Sequence, residues 1–507
     1  MKNRPKDDFF AHLEDEGIGV TFGDVQLKTK YSTVRPPDVS LVSRFSRRVP
    51  LKVPFVSAAM DTVTEYPMAI AMAKAGGIGI IHRAMSPKEQ ARHVTRVKRY
   101  MNPFIPDPIC VFETDTVESV LRMKEEKEYD FDTFLVLNAH GKLSGVLTSR
   151  NFKHCLENEV YLTVGTVMAR DDLVTAHPDT SFEEAFQLMR KCPGDGIGLL
   201  PLVDESGMVA GLYTWKDIKR RKSSETEAYN TDTDGRLIVG AAIGIGDAGL
   251  AQAELLVLED VDVLVIDAAH GDTETIVDMV RVVKKEFPDV DVVAGNISEA
   301  DAVIRLIQAG VDGIKVGQGG GSICTTRTVA GIGCPQVSAV ALCERAIRYT
   351  HKDIPVCSDG GVTESGHAAI ALAAGASSVM MGRIFAGANE APGDIIIYPD
   401  GQRFKRYDGM GSQSAMERSS AARERYGGNG SGKTVPEGVE AIVPCQGPVA
   451  NVISRFIGGV RSSMGYLGAE TISAFQMRAE FRRVTEAGRR EASPHDVTVI
   501  PFSPISK

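Results

Sequence analysis

The stretch VDVVAGNISEADAVIRLIQAGVDGIKVGQG, residues 290–319, places a segment of helical periodicity between two short apolar runs. The runs, residues 290–297 and 310–319, are apolar nearly throughout instead of alternating with polar residues. Such runs are typical of parallel strands that are buried on both faces. The stretch therefore predicts a strand, a helix and a second strand parallel to the first.

Six further apolar runs of the same character are distributed along the chain, and helical segments follow them. They lie at residues 53–60, 76–83, 237–245, 261–271, 354–362 and 376–383. Eight strand–helix units are the number found in a (β/α)8 TIM barrel, in which the carboxyl ends of the strands carry the active site. An open doubly wound sheet is the alternative, but its GxGxxG fingerprint is not evident. We predict an α/β fold with a TIM barrel.

The composition is that of an ordinary globular protein. The chain has 507 residues, of which 43% are hydrophobic and 24% are charged, and it is long enough for more than one core. A net charge of −9 argues against a general nucleic-acid-binding protein, because such proteins usually carry an excess of basic residues. No stretch approaches the roughly 18 uninterrupted apolar residues of a membrane span. We expect a soluble, cytoplasmic protein without a membrane partner.

The cysteines are scattered and show no CxxC spacing, which argues against a zinc site and against a disulfide framework. They are Cys110, Cys155, Cys192, Cys324, Cys334, Cys343, Cys357 and Cys445. This usage fits a reducing compartment.

The predicted strands leave one large gap, between residues 83 and 237, and this gap contains an internal repeat. Residues 134–152, FLVLNAHGKLSGVLTSRNF, resemble residues 199–218, LLPLVDESGMVAGLYTWKDI. Two copies of one unit indicate a paired module that is inserted into the barrel. We therefore divide the chain into a first barrel part (1–102), the inserted module (103–222) and a second barrel part (223–507).

Each copy of the repeat has two strands joined by a turn, followed by a threonine and a polar residue where a helix begins. This pattern resembles a tandem pair of cystathionine β-synthase (CBS) domains. The resemblance implies that Thr148, Thr214 and Asp217 contact a regulatory adenine or guanine nucleotide, whereas Asn151 replaces the aspartate in the first copy. The alternative is a folded insert that binds no ligand, because threonine and aspartate are also ordinary helix caps.

We expect a second long segment, residues 384–450, to be irregular, because it is polar and rich in glycine. It contains DGMGSQSAM and RERYGGNGSGKTVPEGVE. A segment of this length inside a compact domain is usually either disordered or a moving lid. We predict a mobile flap at about residues 400–440.

One cysteine lies in a setting that is typical of a nucleophile. Cys324 follows a glycine run in GQGGGSICTTRTVAGIGCPQ, residues 317–336, after the sixth predicted strand. Glycines let the backbone approach a ligand closely, and backbone N–H groups around a thiol favour its anion. A thiolate at the catalytic face of a barrel can attack an electron-poor carbon. The alternative is a tight turn followed by a small buried residue, and a structural role of that kind is what we expect for Cys343.

Seven motifs lie in order along nearly the whole chain. They are VSAAMDTVTE, GGIGIIHR, GGGSICTTRTVAGIGCPQ, SDGGV, YDGMGSQSAM, VPEGVE and GGVRSSMGYLGA. Together they resemble the IMP dehydrogenase / GMP reductase family, which implies NAD-dependent oxidation of IMP to XMP, a step of guanine nucleotide synthesis. The alternatives are an NADPH-dependent GMP reductase and a nucleotide-sensing scaffold with an inert barrel. Arg425 and Tyr426 favour the dehydrogenase, because a reductase needs no hydrolytic base.

The resemblance also implies the catalytic residues. Cys324 attacks C2 of IMP and leaves a covalent thioimidate after hydride transfer. Arg425 and Tyr426 activate the water that hydrolyses the thioimidate, since a guanidinium that is stripped of solvent can reach its neutral form. Thr326 and Glu437 form a secondary proton relay.

The binding residues follow from the same resemblance. The substrate residues are Ser322, Asp359, Gly360, Gly361, Gly382, Arg383, Tyr407, Met410, Gly411 and Glu437. The NAD residues are Asp267, Asn296, Gly317 and Gly319, and a potassium ion binds the carbonyls of Gly319, Gly321 and Cys324. The chain departs from the family at Gly320, where proline is usual, and at Arg383, where serine is usual. The family assembles as homotetramers that can pair into octamers, and we expect the same here.

Overall fold

The computed structural model describes residues 4–102, 104–127, 129, 131–154, 161–170, 173–191, 197–222, 227–426 and 435–497. The chain divides into two compact units. One unit consists of Met1–Lys98 together with Ala228–Lys507, and the other of Arg99–Glu227. These divisions fall a few residues from the boundaries that we placed at residues 102 and 222.

The first unit contains a closed barrel of eight parallel strands, so the predicted TIM barrel is confirmed. The strands are β1 (Phe55–Ser57), β2 (Ile78–Ile81), β3 (Gly240–Ile243), β4 (Val263–Asp267), β5 (Asp291–Ile297), β6 (Gly313–Val316), β7 (Val356–Asp359) and β8 (Ser378–Met381). Each lies inside one of the predicted apolar runs. The sheet closes by pairing β8 with β1 and β2 with β3.

Helices surround the barrel. They are α1 (Tyr66–Lys74), α2 (Pro87–Arg99), α3 (Gly246–Leu258), α4 (Glu274–Glu286), α5 (Ala300–Ala309), α6 (Gln336–Tyr349), α7 (Ser365–Ala374) and α8 (Val449–Leu467). Residues 290–319 form β5, α5 and β6. Helix α5 buries Val303 and Leu306 and ends at Gly310, whose φ of 98° lies in the left-handed region that favours glycine.

Branched side chains fill the barrel interior, as they do in other barrels of this kind. The interior cluster includes Ile78, Ile80, Ile238, Val263, Val265 and Val293, none of them more than 2% exposed. Because apolar side chains pack the middle of the barrel, the polar side chains at the carboxyl ends of the strands are left to line one face.

Smaller elements complete the first unit. They are the helices Pro5–Asp15, Thr326–Val329, Arg383–Ala386, Ile472–Arg478 and Glu486–Glu491, the 3-10 turns Phe22–Asp24 and Pro36–Asp38, and the paired strands Val25–Leu27 with Phe481–Arg483 and Ser43–Arg44 with Pro50–Leu51. Within the described residues, no helix combines the length and apolar character that crossing a bilayer requires.

The segment after β8 is more regular than its composition indicates. Ile395–Ile397, Arg403–Asp408 and Glu440–Pro444 form a three-stranded antiparallel sheet. Two short helices, Gln413–Arg418 and Ser420–Arg425, lie between the last two strands. Our expectation of an irregular segment is therefore wrong for these residues, because the last two strands pair across a long stretch of chain that local composition does not connect. Residues 427–434 of the predicted flap lie outside the described residues, and its mobility stays a prediction.

The second unit has the internal symmetry that the repeat predicts. One sheet is formed by Cys110–Phe112, Phe134–Leu137 and Leu143–Leu147, and the other by Phe104–Ile105, Leu199–Val203 and Val209–Thr214. Its helices are Val117–Glu126, Ser149–His154, Val164–Val167, Phe182–Lys191 and Trp215–Lys222. The corresponding hairpins even share a register shift, between Val136 and Leu137 in one copy and between Leu202 and Val203 in the other. The assignment to the CBS family stays a prediction.

Candidate active site

One cavity at the carboxyl ends of the barrel strands collects most of the predicted site residues. Those that line it are Asp267, Asn296, Gly317, Gly319, Gly321, Cys324, Thr326, Asp359, Gly360, Gly382, Tyr407, Met410, Arg425 and Tyr426. Ala58, Ala59 and Met60, just past β1, line it as well, and so does Lys315 on β6. None of these four residues was assigned a role from the sequence.

Five of the residues predicted for the barrel site do not line the cavity, namely Ser322, Gly361, Arg383, Gly411 and Glu437. Ser322 is exposed to solvent. Gly361 lies under the ring of Phe22, and Gly411 lies under the ring of Tyr426. Glu437 and Arg383 support cavity residues by hydrogen bonds. The structure thus brings these residues next to the site without exposing them to its interior.

The loop that carries Cys324 is fastened to the segment before the strand Glu440–Pro444. Thr325 donates its backbone N–H to the Glu437 carbonyl at 2.9 Å, and Val439 donates to the Ile323 carbonyl at 3.0 Å. These two bonds frame an isolated bridge between Cys324 and Gly438. The thiol therefore has a fixed place between two chain segments that are far apart in sequence.

A short chain of hydrogen bonds leads away from the thiol. Cys324 Sγ lies 3.2 Å from Thr326 Oγ1, and the Thr326 hydroxyl donates to Glu437 Oε2 at 2.7 Å. Because the threonine proton is engaged by the carboxylate, its oxygen is free to accept a proton from the sulfur. The arrangement can move a proton from the thiol side to Glu437.

Three other cysteines are poor nucleophiles. Burial raises the pKa of Cys334 to about 11 and that of Cys357 to about 12, and it raises the pKa of Cys343 further still. A thiol with so high a pKa is almost entirely protonated at neutral pH. The structural role expected for Cys343 agrees with its complete burial in α6.

The glycine at the end of β6 is required by close packing. Gly317 has a φ of 143°, and a Cβ at this position would lie 2.1 Å from the Asp359 carbonyl oxygen and 2.7 Å from Gln336 Oε1. No larger residue fits between β6 and β7 without moving one of them. The glycine therefore lets the Cys324 loop begin directly beside Asp359.

Lys315 joins three predicted ligand-binding side chains. Its Nζ lies 2.9 Å from Asp267 Oδ1 and 2.8 Å from Asp359 Oδ2, and it also contacts Asn296 Oδ1. Its side chain is only 1% exposed. Asn296 in turn donates to Asp359 Oδ2 at 2.9 Å. One buried cation thus holds the predicted cofactor carboxylate and the predicted substrate carboxylate together.

A sequence signal for Lys315 was present. It interrupts an otherwise apolar strand, while the adjacent β7 ends in Asp359 and β4, two strands away on the other side, ends in Asp267. In a barrel, side chains from alternate strands meet in layers, so a lysine on β6 can reach the end of β4 as well as that of the adjacent β7. Reading each strand by itself misses such a contact.

Arg425 and Tyr426 reach into the cavity from the end of the helix Ser420–Arg425. The Arg425 guanidinium contacts Asp267 Oδ2 and hydrogen-bonds the Tyr426 hydroxyl. Burial lowers the pKa of Arg425, and the nearby Arg83 cation acts in the same direction, whereas Tyr426 opposes it. Burial also raises the pKa of Tyr426, so the phenol keeps its proton. The guanidinium therefore loses its proton more easily here than in water.

Tyr407 forms one wall of the predicted phosphate subsite. Its hydroxyl hydrogen-bonds the backbone of Arg383 and leaves no space for a side chain at Gly382, where a Cβ would lie 2.6 Å from it. Burial raises the pKa of Tyr407, which keeps the hydroxyl protonated. This hydroxyl can donate a hydrogen bond to an anion.

Within the described residues, no group of three histidine, cysteine or acidic side chains could hold a metal ion. A monovalent cation can instead be bound by backbone carbonyl oxygens. The carbonyls of Gly319 and Cys324 accept no hydrogen bond from any residue that the structure describes, and Gly321 accepts one, from Cys324 N–H at 3.1 Å. These oxygens fit the predicted potassium ligands, since each keeps a lone pair free.

The family model for the IMP dehydrogenase / GMP reductase domain matches residues 19–495. The chain belongs to the IMP dehydrogenase / GMP reductase family. The family resemblance stated from the motifs is thereby confirmed, along almost the entire chain.

Curated relatives in this family are named inosine-5'-monophosphate dehydrogenase. The protein of Helicobacter pylori (strain 26695) is 45% identical over 96% of this chain and 98% of its own length. The protein of Aquifex aeolicus (strain VF5) is 43% identical over 96% of this chain and 97% of its own length. These shares mean that the insert is included in the similarity.

Solved structures of the same family include a reductase. A cysteine-to-alanine variant of Trypanosoma brucei GMP reductase, in complex with guanosine 5'-monophosphate, is 38% identical, has a TM-score of 0.83 and covers 96% of this chain and 100% of its own. The complex of the T. brucei reductase with guanosine 5'-triphosphate is 34% identical with a TM-score of 0.74, and it covers 93% of this chain and 99% of its own. Because these reductases match nearly the full chain, length does not separate the two activities within the family.

Each predicted nucleotide-binding threonine of the insert is hydrogen-bonded to the residue three positions later in the chain. Thr148 Oγ1 donates to Asn151 Oδ1 at 2.8 Å, and Thr214 Oγ1 donates to Asp217 Oδ2 at 2.5 Å. Both pairs lie where a helix begins, which is the arrangement of ordinary caps. Their contact with a nucleotide stays a prediction.

Proposed function

We propose that the protein oxidises IMP to XMP with NAD. The observation that carries this proposal is the presence of Arg425 and Tyr426 in the same cavity as Cys324. A hydrolytic base beside the nucleophile serves a dehydrogenase and has no task in a reductase. The identity of 40–45% to curated IMP dehydrogenases supports the same assignment.

The first half-reaction forms a bond between Cys324 and the purine. The thiolate attacks C2 of IMP, and the thiol proton passes to the Thr326–Glu437 pair. The hydride then leaves C2 with both electrons, and the carbon–nitrogen double bond returns as a thioimidate. Bound NAD supplies the acceptor for this hydride. Attachment to sulfur divides a difficult oxidation into two easier steps.

The second half-reaction hydrolyses the thioimidate. Arg425 takes a proton from a water molecule, the hydroxide attacks C2, and the carbon–sulfur bond breaks to release XMP and restore Cys324. The lowered pKa of Arg425 supports this role, since a base must reach its neutral form to accept a proton. Tyr426 orients the guanidinium through its hydrogen bond.

Substrate binding uses groups at the ends of β7 and β8. Asp359 accepts hydrogen bonds from the ribose hydroxyls. The phosphate is bound by the backbone N–H groups of Gly361 and Gly382 and by the hydroxyls of Ser322 and Tyr407. Gly360, Met410, Gly411 and Glu437 complete the predicted substrate residues. Arg383 adds a positive charge beside the phosphate. A guanidinium suits a phosphate well, because it can donate two parallel hydrogen bonds.

Cofactor and cation use neighbouring groups. Asp267 binds the nicotinamide ribose, with Asn296, Gly317 and Gly319 nearby. Arg425 contacts Asp267 in the structure. The flap and the cofactor therefore bind this carboxylate alternately. The open carbonyls of Gly319 and Cys324, together with Gly321, bind potassium.

Regulation and assembly follow the family pattern. Adenine or guanine nucleotides bind the insert at Thr148, Thr214 and Asp217 and change activity or assembly. The working assembly is a homotetramer that can pair into an octamer. The repeat of two similar sheets supports a paired nucleotide module.

GMP reduction with NADPH is the second candidate, and the similarity to the T. brucei GMP reductase structures favours it. A direct comparison separates the two. Purified protein is supplied with IMP and NAD, and separately with GMP and NADPH, while the absorbance of the reduced nicotinamide is followed. We expect NADH to form with the first pair. Turnover of the second pair alone would contradict the proposal.

A further inference from the structure

Side chains outside the predicted site attach the helix that carries Arg425 to the barrel. We call this helix, Ser420–Arg425, the flap helix. Arg83, just past β2, donates from Nη1 to Glu424 Oε2 at 2.7 Å and from Nη2 to the Ala421 carbonyl at 3.1 Å. The Arg83 side chain is 9% exposed and the Glu424 side chain is 30% exposed, so the ion pair is partly shielded from water.

The next two strand ends bind the flap helix as well. The backbone N–H of Ile245, just past β3, donates to Glu424 Oε1 at 3.0 Å. The backbone N–H of Ala269, just past β4, donates to the Arg425 carbonyl at 3.2 Å. Glu424 therefore has both carboxylate oxygens engaged, one by each neighbouring strand end.

The packing around the ion pair is tight. A Cβ at Gly244 would lie 3.0 Å from Arg83 Nη1 and 3.1 Å from Glu424 Oε1. Because Gly244 packs closely against this ion pair, the position of the flap helix at the ends of β2 and β3 is well defined. Neither Arg83 nor Glu424 lines the cavity, so their effect on chemistry passes through Arg425.

We propose that Arg83 and Glu424 are positioning residues that seat the flap helix on the barrel and so hold Arg425 beside Cys324 during hydrolysis. The inference rests on the proposed function. Charged hydrogen bonds in a low-dielectric setting are strong, and two successive strand ends share this one. The Arg83 cation also contributes to the lowered pKa of Arg425, in the direction that a base requires.

The two half-reactions depend in different ways on the attachment of the flap helix to the barrel. Hydride transfer needs Cys324 and a bound cofactor, and it needs Asp267 free of Arg425. Hydrolysis needs Arg425 in place. Weaker attachment of the flap helix therefore leaves the rate of the first hydride transfer unchanged and slows the release of XMP. It also relieves the competition at Asp267, so KM for NAD stays the same or falls.

The test compares first-turnover and steady-state kinetics in the full-length protein. The variants are Glu424→Gln, Arg83→Gln and the double variant, with Glu417→Gln as the control. Glu417 lies on the neighbouring helix and is exposed, and its side chain accepts a hydrogen bond from Gln413. After rapid mixing with IMP and NAD, the NADH burst is followed by absorbance. Acid-quenched samples are analysed by mass spectrometry for nucleotide attached to Cys324.

For either single variant we expect a burst rate within about threefold of the unaltered protein and a steady-state kcat lowered about 10- to 100-fold. Adduct then accumulates during turnover. The double variant loses no more than the single variants, because either change breaks the same pair. The control matches the unaltered protein. The amplitude of the burst counts competent sites, so poor folding is separated from a slower step.

Two results would overturn the positioning role. One is an equal loss in the burst rate and in steady-state kcat. The other is losses that multiply in the double variant, which would mean that the residues act independently. A different result bears on the proposed function itself: the unaltered protein would show no NADH burst with IMP.

Discussion

At the scale of single residues, the charges of the cavity balance when the flap helix is seated. Lys315 and Arg425 carry the positive charges, and Asp267 and Asp359 carry the negative ones. All four side chains are largely buried, so each charge depends on its neighbours instead of on water. Departure of Arg425 leaves an excess negative charge, which suits the cationic ring of an oxidised nicotinamide cofactor.

Replacement of Lys315 tests this balance. In Lys315→Met, Asp359 loses its buried cation and Arg425 is the one positive charge left for two carboxylates, so we expect a loss of about 3 kcal/mol in the free energy of unfolding. KM for IMP rises about tenfold or more, because Asp359 is no longer held toward the substrate. Urea titration and initial rates measure the two effects. The exposed Lys352→Met serves as control, and an unchanged stability for Lys315→Met would contradict the role.

At the scale of elements, the site depends on contacts between neighbouring strand ends. The Cys324 loop begins at Gly317, beside the end of β7, and its far side is fastened to residues 437–439. The thiol and Asp359 are therefore placed by packing of the backbone itself. A change that separates β6 from β7 moves both groups.

A methyl group added at Gly317 is expected to separate β6 from β7. In Gly317→Ala the new Cβ meets the Asp359 carbonyl, in a backbone conformation that favours glycine. We expect a loss of about 2–4 kcal/mol in the free energy of unfolding and a higher KM for IMP. Gly366→Ala is the matched control, since it lies exposed in α7 with no atom near its Cβ, and there we expect unchanged or slightly greater stability. Equal behaviour of the two variants would refute the argument.

The barrel strands could be predicted because their apolar runs are continuous, and Cys324 because glycines and threonines surround it. Lys315 could not be assigned in this way, since its role arises from two other strands that meet it in space. The sheet that contains Arg403–Asp408 was not predicted for a similar reason, because the partner strand of this segment lies far along the chain. The hydrogen bonds of Glu424 could not be predicted either, because they come from strand ends that only folding brings together.

At the scale of the whole molecule, the barrel unit contains every described residue that lines the cavity. The insert has cores of its own, one in each copy of the repeat. Where the chain leaves and returns, Lys98 binds Asp232 at 3.0 Å and Asp262 at 2.8 Å, so both junctions are anchored within the barrel unit. We therefore predict that the barrel unit can catalyse the reaction without the insert.

Replacement of residues 99–227 by a short Gly/Ser linker tests this separation. We expect kcat for IMP oxidation to stay within about threefold of the full chain, because no cavity residue is removed. Any effect of added ATP or GTP on the rate disappears. Steady-state kinetics with and without nucleotide measure both outcomes. A shortened protein that folds but does not turn over would show that the barrel requires the insert.

The central claim is that Cys324 bonds to the purine and that water later releases it. Mass spectrometry of the acid-quenched protein during turnover with IMP and NAD tests this claim most directly. We predict a purine nucleotide attached to the peptide that contains Cys324, and no turnover in Cys324→Ala. NADH formation without any such adduct, together with turnover by the alanine variant, would contradict the account.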